Sequence, residues 1–294
     1  MLSYVLKRFA QGIPVLLLIT GMVFAVVYLI PGDAASVVLG RSATPESVAR
    51  VRHDLGLDRP LPVRYGIWLG HVARGDFGDS ILSRQPVWTL IGRAFPITAY
   101  LSLFALLIAL AIAVPAGTMA ALKKNTWIDL VCTTWAFIGV SVPSFWLAIV
   151  LVYVFGVKLA WVPLEGYIGL REDAAASLKT MALPAFTLGV FLSGPLMRYL
   201  RSSILQTLSQ EFVTVARAKG LSERRVLLGH ILRTSFIPFV TALGIYFSYL
   251  IGGAVVVENV FAIPGIGDLV VTAIGNRDFP VIQGVVLVVA TVVV

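Results

Sequence analysis

Charge is scarce in this sequence. Of its 294 residues only 13% are Asp, Glu, Lys or Arg, while 58% are hydrophobic and the mean hydropathy is +0.92. A soluble domain is about 25% charged, so a water-facing surface over the whole chain is excluded and lipid must be part of its solvent. Cysteine is confined to Cys132, which rules out an intrachain disulfide; flanked by Val131 and Thr133 in an apolar run, it reads as a small core residue. His53, His71 and His230 are scattered through connections without metal-ligand spacing, so neither a metal site nor a cofactor is expected. No Gly-x-x-x-x-Gly-Lys-Ser/Thr loop and no Gly-x-Ser-x-Gly nucleophile motif occurs, so no P-loop and no catalytic residues are expected.

What is abundant is long apolar runs. A membrane helix needs about 20 mostly apolar residues, and six segments approach that: Phe9 to Ile30, Ala94 to Leu122, Leu130 to Val157 with Pro143 inside, Met181 to Met197 with Pro184 and Pro195, Phe236 to Val257, and a last run from Phe279 that is still apolar at Val294 and reads as an incomplete span. The first run follows Lys7 and Arg8 as a signal peptide would, but it is long and no small-x-small cleavage site follows, so a retained helix is expected. The fold class is thus an all-α integral membrane protein of about six transmembrane helices. Its expected divisions are an N-terminal helix (1–30), an outer loop with short helices (31–93) and a core (94–294). These spans contain no Asp, Glu, Lys, Arg or His, so the coupling groups of an ion-driven carrier are missing at depth.

Basic residues set the orientation. With the N-terminus inside, the inner segments hold Lys7, Arg8, Lys123, Lys124, Arg198, Arg201, Arg217, Lys219, Arg224, Arg225 and Arg233 against Asp129, Glu211 and Glu223. The remaining bases and acids balance, so the whole net charge of +8 lies on one face and nucleic-acid binding is not needed to explain it.

Two connections have structure of their own. In the outer loop Thr44-Pro45-Glu46 reads as an N-cap, an N1 proline and an acid at the positive helix end, with a helix to about Leu55 that stops at Gly56. An amphipathic stretch from Val63 to Val72 then ends before the turn Arg74 to Gly78. In the inner connection, Leu205, Leu208, Phe212 and Val215 recur at helical spacing from Arg201 onward, predicting one amphipathic helix. It closes at Gly220, and Ser222 is placed to cap a second helix with Glu223 in its first turn, giving a positively charged elbow.

The run Ala216-Arg217-Ala218-Lys219-Gly220-Leu221-Ser222, followed by His230-Ile231-Leu232-Arg233 and Pro238, resembles the cytoplasmic loop of ABC-importer permeases, in the branch that handles dipeptides, oligopeptides, glutathione and nickel. Pro31-Gly32-Asp33, Leu55-Gly56-Leu57-Asp58, Gly75-Asp76-Phe77-Gly78, Glu258-Asn259-Val260-Phe261, Pro264-Gly265-Ile266-Gly267 and Asn276 to Gln283 agree with that branch, in order along the chain. Departures exist. Thr214-Val215-Ala216 stands where the general pattern has Glu-Ala-Ala, Pro238 lies further on than usual, and Thr234 replaces a common Asn.

The resemblance implies a transport subunit rather than an enzyme. Its partners would be a second homologous permease, two ATPase subunits at the cytoplasmic face, where residues 216–222 would fit a cleft, and an extracytoplasmic solute-binding protein. It would lie in a bacterial or archaeal cytoplasmic membrane, with di- or oligopeptide as the expected solute and nickel or glutathione as alternatives. A self-sufficient secondary carrier is the reading from a different class. Asp33, Glu258 and Asp278 each stand at the outer end of an expected span, and with Phe261 they are candidates for an outer gate or for docking the binding protein.

Overall fold

The computed structural model describes residues 2–29, 44–54, 58–162, 166–170 and 172–294; about 81% of the chain is helical, with no strand among the described residues. The helices are α1 (Leu2–Leu29), α2 (Pro45–Asp54), α3 (Leu61–Val72), α4 (Val87–Leu122), α5 (Trp127–Ser141), α6 (Ser144–Leu151, extended by a π-helical turn Val152–Lys158), α7 (Ala174–Leu208), α8 (Glu211–Ala218), α9 (Glu223–Val226), α10 (Leu232–Val260), α11 (Ile266–Gly275) and α12 (Phe279–Val293). A π-helical turn over Leu227–Ile231 joins α9 to α10.

Among the described residues three helices are long and apolar enough to cross a membrane, Val87–Leu122, Ala174–Leu208 and Glu223–Val260; the pair α5 and α6 makes a fourth if counted as one span. The first and last of the six expected segments contribute shorter apolar helices, Gln11–Ala25 and Phe279–Val293. The expected third span is not one rod. Pro143 has no N–H to donate and forces Val142 into an extended conformation (ψ 121°), so the helix breaks and its halves diverge by 98°. The fourth expected span, Met181 to Met197, grows to 35 residues. Asp173 starts it by accepting the N–H groups of Ala175 (2.9 Å) and Ala176 (3.0 Å). Pro184 and Pro195 stay inside it, tolerated as membrane prolines are when neighbours take up the freed backbone groups.

The residues group into two compact units, Met1–Ile97 with Pro264–Val294, and Thr98–Ile263. In the first unit α3 leans on α1: the Tyr65 hydroxyl donates to the Leu17 carbonyl (2.9 Å) and its ring meets Phe24 edge-on. Val87, Ile91, Ala94, Ile266, Phe279 and Ile282 are among the residues of its buried core. Ahead of α2, Thr44 and Ser47 exchange hydrogen bonds as a capping box, Ser47 N–H to Thr44 Oγ1 (3.2 Å) and Thr44 N–H to Ser47 Oγ (2.9 Å). Its expected end at Leu55 and Gly56 lies outside the described residues. The turn after α3 is held by Asp76, which accepts the Gly78 N–H (2.8 Å) and meets His71 Nδ1 at 3.0 Å. Those two contacts, Gly78 first, hold its carboxyl below the ordinary carboxylate range.

In the second unit α7 is the axis. Its most apolar stretch is 67% buried, against 33% for α4 and 22% for the helix leading into α10. It reaches that burial by backbone contact. A Cβ on Gly194 would stand 2.7 Å from the Ala136 carbonyl oxygen of α5, and one on Gly189 would meet Ile108 and the Ala105 carbonyl of α4 below 3.0 Å. Helices in lipid gain by such close approach, since no hydrophobic force drives them together there.

Candidate functional site

The elbow expected at residues 216–222 forms, with a different run-in. The single amphipathic helix expected from Arg201 is two helices, because α7 stops at Leu208 and Gln210 is extended (φ −77°, ψ 144°). Ser209 turns its hydroxyl back to the Gln206 carbonyl (2.8 Å), and Glu211 starts α8 at its positive end. The break rotates the face: α8 buries Val213 and Ala216, while Phe212 and Val215, expected on the inner stripe, are exposed. Ala216 therefore packs against its own chain rather than offering a small surface to a partner.

At the C-terminal end of α8 the Leu221 N–H bonds the Ala216 carbonyl (3.3 Å) and the Gly220 N–H bonds that of Arg217 (2.9 Å). This is a Schellman closure, and it needs a left-handed residue; Gly220 supplies it with φ +80°. Space around Gly220 is open, with nothing within 4 Å of a would-be Cβ. Ser222 stands at the N-terminal end of α9 through its carbonyl, which accepts from Arg225 and Val226, but its side chain caps nothing. Across the turn Arg217 grips Glu223 with two bonds, Nε to Oε1 (2.9 Å) and Nη2 to Oε2 (3.1 Å). Arg217, expected to reach outward, thus already has a carboxylate from its own chain. Ala218, Lys219, Arg224 and Arg225 are exposed around it and Leu221 is half-buried. Phe212 and Val215 are exposed on α8, and Lys219, Arg224 and Arg225 are exposed in the turn and helix that follow.

The outer candidates are not surface charges. Helix α10 runs past the expected end at Val257 through Glu258, which is fully buried and accepts the Thr98 hydroxyl at 2.6 Å. Phe261 is also buried, and beyond it Ala262 takes a positive φ of 52° while the Ile263 N–H closes onto the Glu258 carbonyl. Asp278 is 4% exposed and serves the chain's own loop, accepting from Ser80 Oγ and the Ile81 N–H. Asp33 lies outside the described residues.

One site escaped the sequence reading. Asp129, in the first turn of α5, takes both forks of Arg201 from α7: Nε to Oδ1 and Nη2 to Oδ2, each 2.7 Å. The same carboxylate accepts the Asn125 N–H (3.0 Å) and the Thr133 hydroxyl (3.2 Å). Asp129 and Glu258 each lie one residue outside an expected apolar run, on helices that continue past those runs. The signal was Asp129 just ahead of an uncharged run and Arg201 just past another; their pairing is tertiary. Among the described residues no three His, Cys, Asp or Glu side chains gather closely enough to hold a metal ion.

Comparison with known proteins bears on this arrangement. Residues 113–294 match the family described as binding-protein-dependent transport system inner membrane component, and residues 1–102 match the N-terminal domain of such components. The chain is 42% identical over 287 residues to a putative peptide transport system permease protein of Brucella suis biovar 1, covering 98% of this chain and 91% of that protein. Identity and coverage are the same for the glutathione transport system permease protein of Salmonella typhimurium. A solved amino acid ABC transporter shares the fold at TM-score 0.52 and 14% identity, over 70% of this chain and 88% of the other.

Proposed function

Since the chain belongs to the family of binding-protein-dependent transport system inner membrane components, and is the permease subunit of an ABC importer, we propose that its solute is a di- or oligopeptide. It forms half of the pathway beside a second, homologous permease. Two ATPase subunits hydrolyse ATP at the elbow's face, and a solute-binding protein delivers ligand at the opposite one. The N-terminus and residues 216–222 face the cytoplasm of a bacterial or archaeal cell, and about six helices cross its cytoplasmic membrane.

The observation that carries this reading is the elbow. A turn fixed by Gly220 and stiffened by the Arg217–Glu223 pair exposes Phe212, Val215 and Lys219 on a helix too short to serve the membrane. Such a projection suits a docking knob, and α7 and α10 flank it on both sides in sequence, so force on the knob reaches two long helices.

The test is to purify the complex and replace Gly220 with Leu. The wild-type chain is expected to bring an ATPase subunit with it and to take up labelled dipeptide in reconstituted vesicles when its binding protein is added. Gly220→Leu is expected to insert normally and lose uptake. Uptake of glutathione or nickel in place of dipeptide would reassign the solute. Full uptake with no second subunit present would replace the importer reading by a self-sufficient carrier.

A further inference from the structure

The Asp129–Arg201 pair is a more elaborate connection than helix packing requires. Asp129 is buried while the Arg201 side chain stays 26% exposed; replacing an ion pair withdrawn from water with apolar side chains often leaves stability unchanged or raises it, so the pair is poorly explained as a source of stability. Its geometry fixes position instead. Two charge-assisted bonds in a planar fork set the register and rotation of α7 against α5, and a further bond, accepted by Asp129 from the Asn125 N–H, ties it to the turn that ends α4, where Asn125 holds a positive φ of 62°. Further along the same interface Arg198 lies over the Phe137 ring, 5.6 Å from its centroid, and Gly194 abuts the Ala136 carbonyl. From residue 129 to residue 137, α5 is thus held against α7 by an ion pair, a cation–ring contact and a close backbone approach.

Arg201 lies seven residues before the end of α7, about 10 Å along the helix axis at 1.5 Å per residue, and α8 follows after two residues. At the other end of α5 the helix breaks at Val142 and Pro143, and α6 leaves at 98°. The link on the opposite side of α7 is of a different kind. There α7 and α10 are joined by neutral hydroxyl bonds, Ser203 Oγ to the Ser235 carbonyl (3.0 Å) and Ser235 Oγ to Thr207 Oγ1 (2.9 Å).

We propose that Asp129 and Arg201 are positioning residues that make α5 travel with α7, so that a displacement applied at the elbow is delivered to the bend at Pro143. The proposal rests on the elbow being where a nucleotide-driven partner pushes, and adds the route by which that push reaches the bent helix pair.

The test uses the complete transporter in vesicles, recording dipeptide taken up and ATP hydrolysed in the same preparation. Asp129→Asn and Arg201→Lys keep the volume of the site but lose the double fork. Both are expected to hydrolyse ATP at close to the wild-type rate, while solute moved per ATP falls about fivefold or more, the lower end of typical coupling between sites. The exchange Asp129→Arg with Arg201→Asp is expected to recover much of that ratio. A purely structural pair would lower thermal stability and leave the ratio alone. An unchanged ratio in Arg201→Lys, or an exchange that restores stability without the ratio, overturns the proposal. Gly220→Leu in parallel separates the two levels. If it uncouples and Arg201→Lys does not, only the route fails; if neither does, the elbow reading fails with it.

Discussion

Ser80 and Asp278 stand 198 positions apart in sequence and 2.5 Å apart in space, the hydroxyl donating to Oδ2. The Ile81 N–H adds a second bond at 3.1 Å, and Ser83 N–H closes onto Ser80 Oγ at 2.9 Å. One carboxylate at the start of α12 thus shapes the whole segment that leads into α4.

Asp278→Ala leaves a buried hydroxyl and an amide without their acceptor. An unsatisfied buried polar group costs about 1–3 kcal/mol, and the loss should be local. The expected outcome is faster proteolysis between Phe77 and Pro86 with the remaining fragments intact, and a smaller effect for Ser80→Ala. Equal protection of wild type and Asp278→Ala would show that the apolar core around Val87 and Phe279 holds the segment unaided.

Gly194→Ala places a methyl 2.7 Å from the Ala136 carbonyl, where backbone and not a flexible side chain must give way. Overpacking of this kind costs about 1–3 kcal/mol. Gly92→Ala is the control: it is exposed, helical and open around its Cβ, so it should be neutral or stabilising. Thermal unfolding in detergent checks the pair, and a midpoint unchanged in Gly194→Ala refutes the close packing of α5 on α7.

Glu258→Gln keeps an acceptor for the Thr98 hydroxyl and replaces the carboxyl group by an amide. With Glu258 fully buried ahead of the Phe261–Ile263 turn, we expect lower uptake and weaker stimulation of ATP hydrolysis by loaded binding protein, with basal hydrolysis and assembly preserved. Wild-type values for both would restrict this carboxylate to packing.

The proposed orientation is checked by thiol labelling in a Cys132→Ser background. Cysteines at Ser47 or Gly166 should react with an impermeant reagent from outside, whereas a cysteine at Ser222 should react only once the inner face is opened. Labelling at position 222 in intact cells would invert the topology.

Much of the fold could be read from local pattern. The apolar runs located the long helices, Thr44-Pro45 marked the start of α2, and Ala216 to Gly220 announced a helix stop that proved to be a Schellman closure. Where the reading went wrong, the reason is physical. Apolar spacing continues through Ser209 and Gln210, so periodicity alone joins α7 to α8; the break lies in the extended backbone of Gln210, which the spacing of apolar residues does not mark. Pro143 was visible, but the size of its bend depends on what surrounds both halves. Glu258 and Asp278 looked like interfacial charges because each adjoins the end of an apolar run. Their partners, Thr98 and Ser80, lie 160 and 198 residues away, beyond the reach of any local pattern. The same holds for Asp129 and Arg201, separated by 72 residues.

The Arg217–Glu223 pair has a bearing on how quickly the elbow can be used. The two Schellman hydrogen bonds and the left-handed Gly220 define the turn within this chain alone, and the exposed Arg217–Glu223 pair adds a modest link across it. A flexible loop would have to give up backbone and side-chain freedom on meeting its cleft, at about 0.5–1.5 kcal/mol for each long side chain immobilised. A preset elbow has less to lose, and its productive encounters need no search among conformers. If residues 216–222 dock as proposed, a partner could leave and return without the elbow refolding each time.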